Sequence, residues 1–288
     1  MSQQLIQLLV NGVAIGSIVA LGSVGLTLTY GILRLANFAH GDLMTLGAYL
    51  TLTANLSGLN LGLSLLVGIA LTIAAALLTE VLLWSRLRDR RVTATTLIII
   101  SIGLALFLRN GITLLWGADN QNYDLPIASA LDFGGIKIAQ SRLVVVGLAI
   151  LAIAALHYLL QHTKLGKAMR AVADNTDLAR VSGINVERVV IWTWVLAAGL
   201  TALGGGMYGL ITVVRPNMGW FLIIPMFASV ILGGIGNPYG AIAGAYVIGI
   251  SQELSTVIIP SEYKLGVALV MMTLVLLFRP QGIFRGIV

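Results

Sequence analysis

Glu80, Arg109 and Glu253 are the residues that first suggest chemistry, because each stands inside a long apolar run. An ionisable side chain there is costly unless it faces a bundle interior, a water-filled path or a partner. Glu80 lies close to Trp84 and Arg86, so pairing with an arginine of the 86–91 cluster is one reading. Glu253 and Arg109 are candidates for a translocation path or gate, and Glu253 also suits a structural pair near one interface. His40 stands beside Gly41 and Asp42 in a turn between two apolar runs. It could relay a proton or sense pH, or make a local hydrogen bond that fixes the turn. Asn37 could cap the following helix in the same local way. Arg215, followed by Pro216 and Asn217, marks the end of a run.

Several chemistries lack their residues. The chain has no G-x-x-x-x-G-K-[ST] phosphate loop and no H-E-x-x-H metal pair. A G-x-S-x-G elbow is missing too, and the His and Ser positions suggest no hydrolase. No catalytic, metal or cofactor site is expected. Cysteine is absent, which excludes a disulfide framework and a thiolate site.

The elements that must position these residues are membrane helices. Hydrophobic residues make up 58% of the 288 positions and charged residues 10%. Soluble domains carry about 25% charged residues. Apolar runs of about 18 residues or more recur along the chain, each able to cross about 30 Å of hydrocarbon. We read spans at about 5–32, 38–56, 62–84, 95–116, 142–160, 190–214, 219–235, 239–257 and 263–279. The second, seventh and eighth are the weakest, and the Gly- and Pro-rich stretch from Met218 to Glu253 suits broken or re-entrant helices. Residues 5–30 read as a first span rather than a cleaved leader. The expected fold is all-α and polytopic, with about eight or nine transmembrane helices in one domain over 1–288.

Charge orients the scheme. The net charge is +6. Arg86, Arg88, Arg90 and Arg91 form one basic cluster, His162 to Arg188 holds a second, and Arg279 and Arg285 follow the last span. The positive-inside rule makes these regions and the C-terminus cytoplasmic. The 117–141 loop, with Asp119, Asp124 and Asp132 against Lys137, is expected outside. Nine spans put the N-terminus outside and eight put it inside. The positive charge belongs to loops at the bilayer, so no nucleic-acid partner is expected.

Between the fifth and sixth spans lies the one long polar insertion on the basic side, KLGKAMRAVADNTDLARVSGINVER, from Lys164 to Arg188. It reads as two short helices, Lys167–Ala173 and Thr176–Ser182. Asp174 or Asn175 can cap the second, and Gly183 sits where a helix end needs positive φ. Met169, Val172, Leu178 and Val181 could form a docking face, edged by Lys167, Arg170 and Arg180. The pattern serves equally for an interfacial helix pair lying on headgroups. The glycines at 204–206 and 209, and at 233, 234, 236 and 240, allow close helix packing. Gly205 and Gly234 are also candidates for a flexible gate.

This segment resembles the cytoplasmic loop of the LivH/LivM-type permeases of branched-chain amino acid ABC importers. Gly166, Ala168, Arg170, Ala171, Asn175, Ala179, Gly183, Ile184 and Asn185 fall on that family's pattern. Three more stretches resemble its motifs: Leu35–Asp42 with Leu46–Tyr49, Leu232–Ala241, and Phe278–Phe284. The likeness covers essentially the whole chain, and the length suits the LivH branch. It implies a translocating subunit in a bacterial inner membrane. It also implies a homologous second permease, two cytoplasmic ATPase subunits and a periplasmic substrate-binding protein as partners. The segment at about 163–188 would couple the ATPases to the spans. Urea permeases share the motifs, so urea remains an alternative cargo. An ion-coupled secondary transporter is the alternative from another class.

Overall fold

A computed structural model of the chain describes residues 2–90, 92–125, 130–133 and 136–284. Arg91 and Arg285, and the side chains of Asp132 and Lys137, lie outside the described residues. Twelve α-helices account for most of the described chain, and the 117–141 loop contains a short hairpin pairing β1 (Ala130–Phe133) with β2 (Ile136–Ala139). That hairpin was not expected: its strands are four residues each, too short to leave a clear alternation.

α1 (Ser2–Leu33) runs the length of the molecule and packs along α11 (Pro238–Leu254). The chain reverses at Arg34, in the left-handed region at φ 54°, and its guanidinium donates to the Ala173 carbonyl. Residues 34–39 climb back without helical structure before α2 (His40–Leu56) begins inside the bundle. α2 is the central element, buried along nearly its whole length among α3 (Leu61–Thr79), α5 (Ala94–Trp116), α9 (Val186–Ile211) and α10 (Met218–Gly233). α3 continues through a π-helical turn, Glu80–Trp84, into α4 (Ser85–Asp89). α6 (Gln140–His162), the short pair α7 (Lys164–Asp174) and α8 (Thr176–Val181), and α12 (Lys264–Phe278) complete the order.

Six helical stretches are long and apolar enough to cross a membrane. α2, α10 and α11 have 17, 16 and 17 residues. At 1.5 Å per residue they reach about 24–26 Å, short of the about 30 Å hydrocarbon core. Those are the three segments whose runs are weakest in the sequence. Counting them, nine longer helical stretches make up the bundle among the described residues. The start of α1 packs on the end of α11, with Gly12 against Ile250, whereas Ile283 N–H bonds to Leu232 O at the end of α10, so the two ends of the described chain lie at opposite ends of the bundle. Arg34, α7, α8 and the tail after Phe278 share the basic end. The start of α1, residues 117–125, the β1–β2 pair and the α11–α12 turn share the other.

Close helix crossings hold the centre. A Cβ on Gly41 of α2 would collide with the backbone of Gly219 in α10, and one on Gly205 of α9 with the Met44 carbonyl of α2. Small residues at such crossings let backbones touch and replace the hydrophobic drive that lipid does not supply. Tyr123 reaches into the α2–α9 crossing, donating to Gly206 O at 3.1 Å, and burial pushes its phenol well above the usual range.

Candidate translocation and coupling site

The segment between α6 and α9 folds as two capped helices. Thr163 Oγ1 accepts the Gly166 N–H and Asn175 Oδ1 the Leu178 N–H, so Asn175 rather than Asp174 caps α8. The end of α8 is a Schellman turn. Ile184 N–H bonds to Ala179 O, Gly183 N–H to Arg180 O, and Gly183 has φ 84°. Asn185 then caps α9 through the Arg188 N–H. The first helix starts three residues earlier and ends one later than the sequence reading placed it, and the second ends one residue sooner.

The docking face it outlined divides in two. Met169 and Val172 turn inward and are buried with Ala179 against the bundle, with Ala168 and Ala171 half-buried beside them. Leu178 is 63% and Val181 87% exposed. Arg170 does not edge that face. Its guanidinium folds back to cap α6, donating to Leu160 O at 2.5 Å and to Gln161 Oε1 at 3.2 Å. Gly166 permits this approach, since a Cβ there would strike the Leu159 and Leu160 carbonyls.

From Arg170 a polar chain continues. Gln161 Nε2 donates to the Tyr239 hydroxyl, which also meets His157 Nδ1 at 2.9 Å. Asn237 Oδ1 caps α11 at Tyr239 and Gly240, and Asn237 Nδ2 donates to Phe284 O. Ile283 N–H bonds to Leu232 O, and Gly234, at φ 102°, ends α10 beside Gly282. Three motif stretches far apart in sequence thus meet at the basic end. Gln161 and Tyr239, the joints between them, carried no signal in the sequence beyond Tyr239 lying inside a motif.

Inside the bundle, His40 does not fix its own turn. Its Nε2 meets Gly22 O at 2.9 Å and Thr201 Oγ1 at 2.7 Å, tying α2 to α1 and α9. Facing a carbonyl, Nε2 carries the proton, and Nδ1 is left buried without a partner. Asn37 Oδ1 accepts the Ala39 N–H within the 34–39 segment rather than capping α2, and its Nδ2 is likewise unpartnered. Arg109 meets Asp42 in a two-pronged ion pair, Nε–Oδ1 3.0 Å and Nη2–Oδ2 3.1 Å, with its guanidinium over the Trp220 ring. Asp42 stood in a motif but was not singled out. Its partner is 67 residues away, a separation no local pattern encodes. Glu80 pairs with Arg88 of the basic cluster and accepts the Trp194 indole N–H at 2.6 Å. Glu253 pairs with Lys264 at 2.5 Å.

Glu253 and Lys264 also line a cavity of about 770 Å³ at the end opposite the basic one. It opens between α1, α6, α9, α10, α11 and the turn before α12. Arg215, read as the end of a span, does follow α9, and its side chain lines this cavity. The candidate gate residues thus fall in three layers: Glu253 at the cavity, Asn37, His40, Arg109 and Gly205 around the first half of α2, and Gly234 at the basic end.

Comparison with known proteins completes the picture. Residues 8–276 match the family described as branched-chain amino acid transport system / permease component. The high-affinity branched-chain amino acid transport system permease protein LivH of Salmonella typhimurium is 32% identical, over 98% of this chain and 97% of its own. The corresponding permease protein BraD of Pseudomonas aeruginosa is 29% identical, over 96% and 95%. Among solved structures, PsaBC from Streptococcus pneumoniae in complex with Fab matches with a TM-score of 0.53 at 13% identity. That match covers 96% of this chain and 91% of the other, a likeness of fold alone. By its sequence over nearly its whole length, the chain belongs to the branched-chain amino acid transport system permease family.

Proposed function

We propose that the chain is the membrane-spanning subunit of an importer that carries branched-chain or other neutral amino acids inward across a bacterial inner membrane, driven by ATP hydrolysed on a separate protein. The observation that carries this reading is the α7–α8 pair. It is capped at both joints, clamped to α6 through Arg170, and presents Leu178 and Val181 outward. A stiff, anchored knob with apolar side chains at its tip transmits displacement, whereas a headgroup-lying pair would not need the clamp. Two cytoplasmic ATPase subunits dock there in this reading. The second half of the pore comes from a homologous permease, and a periplasmic binding protein delivers cargo at the cavity end. The basic end, with Arg86, Arg88, Arg90 and Arg279, lies in the cytoplasm by the positive-inside rule. The C-terminus is then cytoplasmic and the N-terminus outside.

An ion-coupled carrier is disfavoured by the buried carboxylates. Asp42, Glu80 and Glu253 are each already paired with a cation of the same chain, whereas an ion-coupled carrier calls for a bare mid-membrane carboxylate. The tagged chain, purified from its native membrane, should bring an ATPase with it. Its deletion should abolish uptake of labelled leucine or alanine. Purification of the chain alone with intact leucine uptake in the deletion strain would refute the assignment. Loss of urea uptake alone would move the cargo to urea.

A further inference from the structure

The cavity of about 770 Å³ at the end opposite the coupling segment has a chemistry of its own. Its volume lies within the about 300–1,000 Å³ typical of small-molecule sites. Five charged side chains line it: Arg142, Arg215, Lys264, Glu253 and Glu262. Lys264 and Glu253 neutralise one another. Two residues on its wall each carry a polar atom buried without any partner, and the two atoms are of opposite kind. Asn11 Oδ1 is an acceptor and Arg215 Nε is a charged donor. A buried polar group left unpaired is costly, and such exceptions in a folded protein call for an explanation. Tyr208, Thr212, Gln252 and Ser261 add polar groups, and Ile15, Ile211, Phe221 and Leu222 give the wall an apolar part. Pro225, inside α10, also lines the cavity and has no N–H to donate along that helix.

An orphan cationic donor, an orphan acceptor and an aliphatic-aromatic wall are together the complement of one kind of solute. We propose that this cavity is a binding vestibule for a free α-amino acid in its zwitterionic form. The carboxylate lies on the Arg215 guanidinium, which presents a planar fork of donors suited to it. The ammonium donates to Asn11 Oδ1 and to Glu253, displacing Lys264 from that carboxylate. The apolar side chain lies against Ile211, Phe221 and Leu222. Exchange of Lys264 for the substrate ammonium loosens the join between α11 and the start of α12, because Lys264 O also accepts the Gln252 side-chain N–H. Occupancy is thereby felt on the helix whose other end carries the Asn237 cap and Tyr239. The proposal rests on the amino acid importer reading and adds to it a site within this one chain.

The test uses the complex purified on this chain, in lipid nanodiscs, with no binding protein added. The chain has no cysteine, so Thr212→Cys, on the cavity wall, gives it a single reactive thiol, read as label on this chain after the subunits are separated. Leucine should slow its modification by N-ethylmaleimide, while isocaproate, lacking the ammonium, and isoamylamine, lacking the carboxylate, should not. Arg215→Gln and Asn11→Leu should each raise the leucine concentration needed for protection by about tenfold or more. Arg215→Lys should recover part of the loss and Phe221→Ala should weaken leucine more than alanine. Two outcomes sink the vestibule while leaving the importer reading intact. One is normal leucine uptake in cells with labelling that leucine does not change. The other is protection by leucine that Arg215→Gln and Asn11→Leu leave unchanged. A complex that neither binds nor transports leucine sinks both.

Discussion

Three carboxylates lie buried among the helices, and each is answered by a cation: Asp42 by Arg109, Glu80 by Arg88 and Glu253 by Lys264. The Asp42 side chain is 1% exposed and that of Arg109 19%, so neither charge is well hydrated. Removing one partner strands the other. Asp42→Asn should therefore destabilise the fold by about 3–5 kcal/mol, read as a fall in the melting temperature of the purified protein. Pairing it with Arg109→Gln should recover a substantial part. Two glycines make a sharper contrast. Gly183 has positive φ but open space around its Cβ position, so Gly183→Ala should cost only about 1–2 kcal/mol of backbone strain. Gly41→Ala, with helical backbone but the Gly219 backbone against it, should cost far more and lower the amount of folded protein in the membrane. Expression and thermal melts of the two variants side by side check the order. Legibility at this scale follows sequence distance. The caps at Asn175 and Gly183 were readable because their partners are within five residues. The bonds of His40 to Gly22 and Thr201, and of Arg170 to Leu160, cross between elements and were not.

Among the elements, α7 and α8 carry the clearest division of labour. Met169 and Val172 fix the pair to the bundle, and Leu178 and Val181 remain uncovered. Leu178→Asp with Val181→Asp should leave insertion and melting temperature unchanged yet abolish co-purification of an ATPase. Arg170→Ala should do the reverse: the ATPase still binds, but substrate-stimulated hydrolysis falls several-fold because the knob is no longer clamped to Gln161 and Tyr239. Measuring binding and hydrolysis separately distinguishes the two. Six long apolar stretches were plain from hydropathy. α2, α10 and α11 were harder for a physical reason. They are too short to span alone and hold glycines at their crossings, and neighbours cover α2 nearly throughout and much of α10 and α11. The π-helical turn at Glu80–Trp84 left no mark in the sequence. It sits where Glu80 meets the Trp194 indole and Arg88, contacts 114 and 8 residues away.

For the whole molecule, polarity of charge runs from end to end, with the basic segments gathered at one end and the charged cavity at the other. That arrangement was legible from loop composition alone, since hydrophobic spans force alternation. The cavity was not, because Asn11, Arg215, Glu253 and Lys264 come from separate parts of the chain. Single cysteines in the cysteine-free chain test the orientation. An impermeant thiol reagent should reach Asp124→Cys but not Lys167→Cys in intact cells, both positions being exposed; the opposite pattern would invert the topology. The central claim is that this chain moves amino acids on energy supplied by another protein. Its most direct measurement is labelled leucine uptake into proteoliposomes holding the chain with its co-purifying partners and its binding protein. Uptake should require ATP at the basic face and persist when proton and sodium gradients are collapsed. Leucine accumulation by the chain alone, driven by an ion gradient and indifferent to ATP, would contradict it.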